Sequence, residues 1–159
     1  MIKVQDGLWV GGGVDCRVGD EEWAVVHACK SPCHQRAVGY SGSLSPDHPH
    51  YLVLEQATDL YLNLIDPPIP LFMAPSFISF LAFARKQLEN GRKILIHCNQ
   101  GESRAPSLAL LLQAKLIGSI SNESYAAARA QFEAESARYN PGMGIQTYLA
   151  EHWSDFDDF

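Results

Sequence analysis

Basic residues are scarce in this chain. Lys and Arg number 12 against 18 Asp and Glu over 159 residues, a formal net charge of −6. A nucleic-acid coat or a binder of anionic membranes needs the opposite balance, so the composition weighs against both and requires any anion site to be built locally. Long hydrophobic runs are missing too. The greasiest stretch, "LALLLQAKLIG" (108–118), is too short to span a bilayer and contains Lys115. The opening "MIKVQDGLWV" lacks the apolar core of a signal peptide, because Asp6 interrupts it. Cysteine is sparse: Cys16, Cys29, Cys33 and Cys98 stand without an extracellular context, and are expected to be reduced thiols of a cytoplasmic protein. There is no internal repeat and no low-complexity tract.

What is present reads as one globular domain, residues 1–159, with 47 % apolar and 19 % charged residues. Short apolar runs alternate with segments of helical spacing. "GLWVGGG" is expected to be a strand ending in a glycine turn; Gly11, Gly12 and Gly13 lack the spacing of a dinucleotide-binding loop. "EWAVVHAC", "DLYLNLID" and "KILIHC" are expected strands, and "PPIP" forbids helix after the second of these. "SFISFLAFARKQLENG" has helical spacing, with Ser76 as N-cap and Gly91 past its end. "APSLALLLQAKLIG", with Pro106 in its first turn, "SNESYAAARAQFEAE" and "GIQTYLAEHW" complete the helices. Between the second strand and the third lies a long polar stretch, "KSPCHQRAVGYSGSLSPDHPH". The alternation predicts an α/β fold with a mostly parallel central sheet flanked by helices. Such sheets carry their sites at the carboxyl ends of their strands.

"KILIHCNQGESRAPS" (93–107) runs from a buried strand into a glycine-containing loop closed by an arginine. Backbone N–H groups in such a loop, together with the following helix N-terminus, converge on one point and cradle an anion. Gly101 permits the turn, and the Arg104 guanidinium can grip two phosphate oxygens in one plane. The same positive environment favours thiolate at Cys98, a nucleophile aimed at a bound phosphorus. Taken singly, a cysteine at a strand end and an arginine in a helix's first turn are ordinary structural residues. The pattern H-C-x-x-G-x-x-R, from His97 to Arg104, gives them a joint reading as a phosphate site.

"HCNQGESR" resembles the signature loop of the cysteine-dependent protein phosphatases, and the size of the chain resembles their compact dual-specificity branch. "LWVGG", "WAVVHAC" and "RYNPGMGIQTYL" extend the resemblance more weakly along the chain. It implies a tyrosine-phosphatase-like fold, a phosphocysteine intermediate, no cofactor and no metal. It also implies Cys98 as nucleophile, Arg104 as phosphate clamp, His97 supporting the thiolate, and the amides of Asn99, Gln100, Gly101, Glu102 and Ser103 on the phosphate oxygens. The family places a general acid about thirty residues before the cysteine; Asp66 lies 32 residues before Cys98, at the end of "YLNLI". The alternative for Asp66 is a turn cap before proline, and Asp59 is the second choice for the acid. After the arginine the family commonly has Ser or Thr, whereas this chain has Ala105, as the phosphatases of regenerating liver do.

The expected activity is hydrolysis of phosphomonoesters on proteins, phosphotyrosine first, with phosphoserine and phosphothreonine within range. No basic residue occupies the variable loop positions Asn99, Gln100, Glu102 and Ser103, which weighs against polyanionic inositol phosphates or an RNA 5′-triphosphate. The competing reading, favoured by Ala105, is a phosphate-recognition module or a very slow phosphatase. Two further readings concern cysteine. Cys29 ends a strand as Cys98 does, and neighbouring strands would make it a redox partner of the nucleophile. "HACKSPCH" holds four residues able to bind zinc, His27, Cys29, Cys33 and His34, but at a spacing unlike the usual zinc motifs.

Overall fold

The computed structural model describes residues 1–135 and 138–158. Six strands form one mixed sheet: β1 (Ile2–Gln5), β2 (Leu8–Gly11), β3 (Trp23–His27), β4 (Val53–Glu55), β5 (Asp59–Leu62) and β6 (Lys93–His97). Their order is β1-β2-β6-β3-β5-β4. The four inner strands run parallel, and β1 and β4 close the two edges antiparallel. Five helices accompany them: α1 (Gln35–Val38), α2 (Ala74–Glu89), α3 (Arg104–Leu112), α4 (Tyr125–Glu135) and α5 (Met143–His152).

The strands are short and alternate. Ala24, Val26, Ile94 and Ile96 lie in the main core with Phe77, Phe80, Leu108 and Leu111. His27 and His97 are paired residues at the ends of β3 and β6, out of phase with that core set, and belong to the other face. In α2 the buried residues Phe77, Phe80, Leu81 and Ala84 recur at helical spacing and supply the stripe that covers the sheet. Its N-cap is Met73, not Ser76. Pro75 is tolerated in a first turn, so the helix begins before Ser76, which is buried one turn in. Every residue of α3 is buried, as befits a helix at the centre of a layer. The Ser124 hydroxyl accepts the Ala127 N–H at 3.0 Å and caps α4. Among the described residues no helix is long and apolar enough to cross a membrane.

This arrangement positions β6 in the middle of the sheet, between β2 and β3, and ends it at His97. The residue leaving the strand is Cys98.

Candidate active site

The loop between β6 and α3 is moulded against the glycines that follow β2. The Cys98 N–H donates to the Gly11 carbonyl at 3.2 Å and the Gly13 N–H to the Asn99 carbonyl at 3.0 Å. Gly101 has φ +77°, and a Cβ there would stand 2.9 Å from the Gly11 carbonyl carbon. Conformation and space both require glycine. The loop then folds back on its own thiol: Gly101 N–H donates to Cys98 Sγ at 3.3 Å and Ala105 N–H at 3.5 Å. Among the described residues, the N–H groups of Gln100, Glu102 and Ser103 have no acceptor in the chain. They are the donors an anion would use.

Arg104 is held by two partners. Nη1 donates to the Leu64 carbonyl at 2.8 Å and Nη2 to Asn99 Oδ1 at 2.7 Å. Asn99 is itself fixed, its Nδ2 donating to the Ser31 carbonyl at 2.9 Å. The Arg104 Nε is buried without a partner. A buried donor in that state is costly unless a ligand meets it.

Asp66 lies in the loop between β5 and α2, where the sequence predicted the end of a strand running into a turn. Ser103 Oγ donates to Asp66 Oδ1 at 3.1 Å and accepts the Gly142 N–H at 2.8 Å. Ser103 thus ties the loop of Asp66 to the segment before α5. Gly142 packs so closely that a Cβ would come within 2.4 Å of Asp66 Oδ1. Cys98, Arg104, Asp66, Asn99, Gln100, Glu102 and Ser103 line one cavity of about 380 Å³, closed by Asn140, Pro141 and Gly142. Asn140–Gly142 could be found from sequence only through the "RYNPGMG" resemblance; no local chemistry marks them. Asp59 is elsewhere: it is buried, bonded to His27 Nε2 at 2.8 Å and to the Gly19 N–H at 3.0 Å.

His97 points away from the cavity. Its Nε2 is 2.7 Å from His27 Nδ1, and burial, reinforced by His27, pushes its pKa down to about 4, so the ring is neutral near pH 7. β3 and β6 are neighbours, as the redox reading of Cys29 supposes, and their register sets Ala28 beside Cys98 with Cys29 one residue further on. The neighbouring Cys33, helped by the Arg104 charge, lowers the Cys29 pKa against the effect of burial. All four cysteines are free.

No family model and no curated protein matches the chain. Solved structures do. It is similar to DUSP15 at a TM-score of 0.69 and 20 % identity, covering 99 % of this chain and 90 % of that one. It is also similar to the human tyrosine phosphatase-like serine/threonine/tyrosine-interacting protein, at 0.65 and 17 %, covering 97 % and 95 %. A third similar structure is the Cydia pomonella PTP-2 phosphatase, at 0.63 and 19 %, covering 94 % and 88 %. The chain therefore has the fold of the dual-specificity and tyrosine phosphatases.

Proposed function

We propose that the chain, as a single catalytic unit, hydrolyses phosphomonoesters through a phosphocysteine intermediate. The observation that carries this is one cavity shared by a thiol at a strand end, a buried guanidinium with an unpartnered Nε, and a carboxylate. The phosphate dianion binds to the loop N–H groups and Arg104. Cys98 Sγ attacks phosphorus, the P–O bond to the alcohol or phenol breaks, and Asp66 gives its proton to the leaving oxygen. Water, deprotonated by Asp66, then attacks phosphorus, forming an O–P bond as the S–P bond breaks, and releases inorganic phosphate with the thiolate restored. No cofactor takes part in these steps.

The substrate reading is a phosphoprotein, phosphotyrosine above all. The cavity has one cation, Arg104, and Glu102 on its rim lies 3.6 Å from Arg138. A substrate with several phosphates would find no further positive charge among the cavity's residues. The free thiols suit a reducing, cytoplasmic setting. Cys29 remains our candidate for trapping an oxidised Cys98, with Cys33 as its competitor.

A second reading, phosphate recognition with little turnover, is favoured by Ala105. The hydroxyl that commonly follows the arginine is missing, and neither nearby serine replaces it: Ser107 Oγ is 2.8 Å from Tyr139 Oη, and Ser103 Oγ is held by Asp66 and Gly142. A small chromogenic phosphate ester separates the two readings. We expect turnover by the parent, none by Cys98→Ser, and retained vanadate or phosphate binding by that variant. Turnover by the serine variant at the parent's rate would overturn the covalent mechanism. Binding without turnover in the parent would establish recognition alone.

A further inference from the structure

Behind the active-site loop, on the sheet face opposite the main core, the ligand atoms of Cys16, His27, Cys33 and His97 all lie within 4.8 Å of one another. Three of the four residues are buried, and Cys16 opens to solvent. We infer that these four residues form a structural site for a zinc ion.

The set differs from the one the sequence suggested. His27 and Cys33 belong to both. Cys29 and His34 drop out, the latter because its ring nitrogens are engaged by Tyr40 Oη at 2.7 Å and the His50 carbonyl at 2.9 Å. Cys16 and His97 replace them, brought in from 11 residues before His27 and 70 after it. No local motif spacing can report such a site, because three separate chain segments build it.

The donor chemistry is that of zinc: two thiolates and two neutral imidazoles. With Zn–S near 2.3 Å and Zn–N near 2.0–2.1 Å, a tetrahedron has edges of about 3.8 Å between sulfurs, 3.6 Å between sulfur and nitrogen and 3.3 Å between nitrogens. Here Cys16 Sγ is 4.0 Å from Cys33 Sγ and 3.7 Å from His27 Nδ1, and Cys33 Sγ is 4.0 Å from His97 Nε2. Of these four distances, the one between His27 Nδ1 and His97 Nε2, 2.7 Å, must widen.

The surrounding shell is also that of a metal-binding histidine. Asp59 is fixed by the Gly19 N–H and the Thr58 hydroxyl and holds His27 Nε2 at 2.8 Å. That hydrogen bond keeps the proton on Nε2 and leaves the Nδ1 lone pair facing the cluster. Tyr61 stacks on the His27 ring at 4.3 Å and 5° and sets its plane. Without a cation, His97 Nε2 must donate to that lone pair. With zinc, both imidazoles present lone pairs, the His97 ring proton moves to the buried Nδ1, which has no partner among the described residues, and the two thiols release their protons on binding.

Four protein ligands leave no open position, so the ion is structural, not catalytic. It would pin Cys16, which follows the glycine turn, and Cys33 to the end of β6, one residue before Cys98. The face of the active-site loop that an anion does not occupy would thereby be fixed.

The test uses the full chain, purified under reduction without chelator, with zinc measured by native mass spectrometry and elemental analysis. We expect about one zinc per chain, a rise in melting temperature on adding zinc to the stripped protein, and, after cobalt substitution, thiolate charge-transfer bands with tetrahedral d–d bands. Cys16→Ser, at an exposed position, should keep the fold and weaken zinc at least tenfold; Asp59→Asn should weaken it about 10–100-fold. Cys98→Ser should bind zinc as the parent does. Absence of stoichiometric zinc would overturn the inference. So would undiminished zinc in both Cys16→Ser and Cys33→Ser, loss of zinc in Cys98→Ser alone, or a Cys16–Cys33 disulfide in the metal-free protein.

Discussion

Asp66, the general acid of the proposed mechanism, has the Ser103 hydroxyl as its one hydrogen-bond donor among the described residues. Ser103 Oγ bridges it to the Gly142 N–H, so the carboxylate is aimed at the cavity without a charged partner on that bond. Asp66→Asn should lower kcat/KM about 10²–10⁴-fold for an alkyl or unactivated phenyl phosphate and far less for an ester with a good leaving group. Equal losses for both substrates, measured side by side, would assign Asp66 a structural role. In the proposed mechanism Ala105 bears on the second step. Its N–H reaches Cys98 Sγ, but it offers no hydroxyl to the departing sulfur. Rapid mixing should therefore show a burst of released alcohol in the parent, and the burst should shrink in Ala105→Ser as kcat rises. A parent without a burst would mean that breakdown of the intermediate is not slow. The candidate residues Cys98 and Arg104 stand out in the sequence because one eight-residue stretch contains them. The ties that surround them in the structure do not. Asn99 to Ser31, Arg104 to Leu64 and Ser103 to Asp66 span 68, 40 and 37 residues, and nothing local encodes such pairs.

At the scale of elements, the contact between the β6–α3 loop and the glycines after β2 decides whether the cradle forms. Alanine at Gly101 would hold a left-handed conformation at a cost of about 1–2 kcal/mol, and its Cβ would press on the backbone of Gly11. Backbone cannot rotate aside as a side chain can, so the loop itself must move. Gly101→Ala should leave the far-UV spectrum unchanged, lower kcat/KM by about 10²-fold or more, and abolish the stabilisation that phosphate or vanadate gives. Retention of that stabilisation would show that the loop does not need this packing. The same contact explains why "GLWVGGG" was legible as a strand and turn but not as a wall of the site. The inner strands and the four long helices could be read from their periodicity. The edge strands β1 and β4 could not: they are four and three residues long and partly exposed, with too little pattern to stand out. Ser76 misled because a good capping residue was weighed without the proline before it.

Across the molecule, tyrosine hydroxyls link the helices and set a limit on alkaline stability. Tyr139 Oη lies 2.8 Å from Ser107 Oγ of α3 and 2.8 Å from Tyr125 Oη of α4. Burial raises the Tyr139 pKa well above its usual value, and Tyr125 and Tyr148 shift the same way for the same reason. The native state therefore keeps protons that the unfolded chain loses near pH 10, where tyrosine ordinarily titrates. Stability contributed by a raised group is complete below the unfolded pKa and is lost as pH climbs toward the folded one. The slope for Tyr139 is about 1.4 kcal/mol per pH unit once the unfolded chain is ionised, and the other two add to it in the same sense. Chemical unfolding followed from pH 8 to pH 11 should show a plateau and then a steep fall above about pH 10. Tyr139→Phe separates this from general alkaline damage. At pH 8 it should cost about 1–3 kcal/mol, because the Ser107 and Tyr125 hydroxyls lose a buried partner. Above pH 10 its stability should decline less steeply than the parent's, so that the gap between the two proteins narrows. A constant gap across the whole range would mean that Tyr139 ionises no differently in the folded and unfolded chains, and that its burial does not govern the alkaline limit.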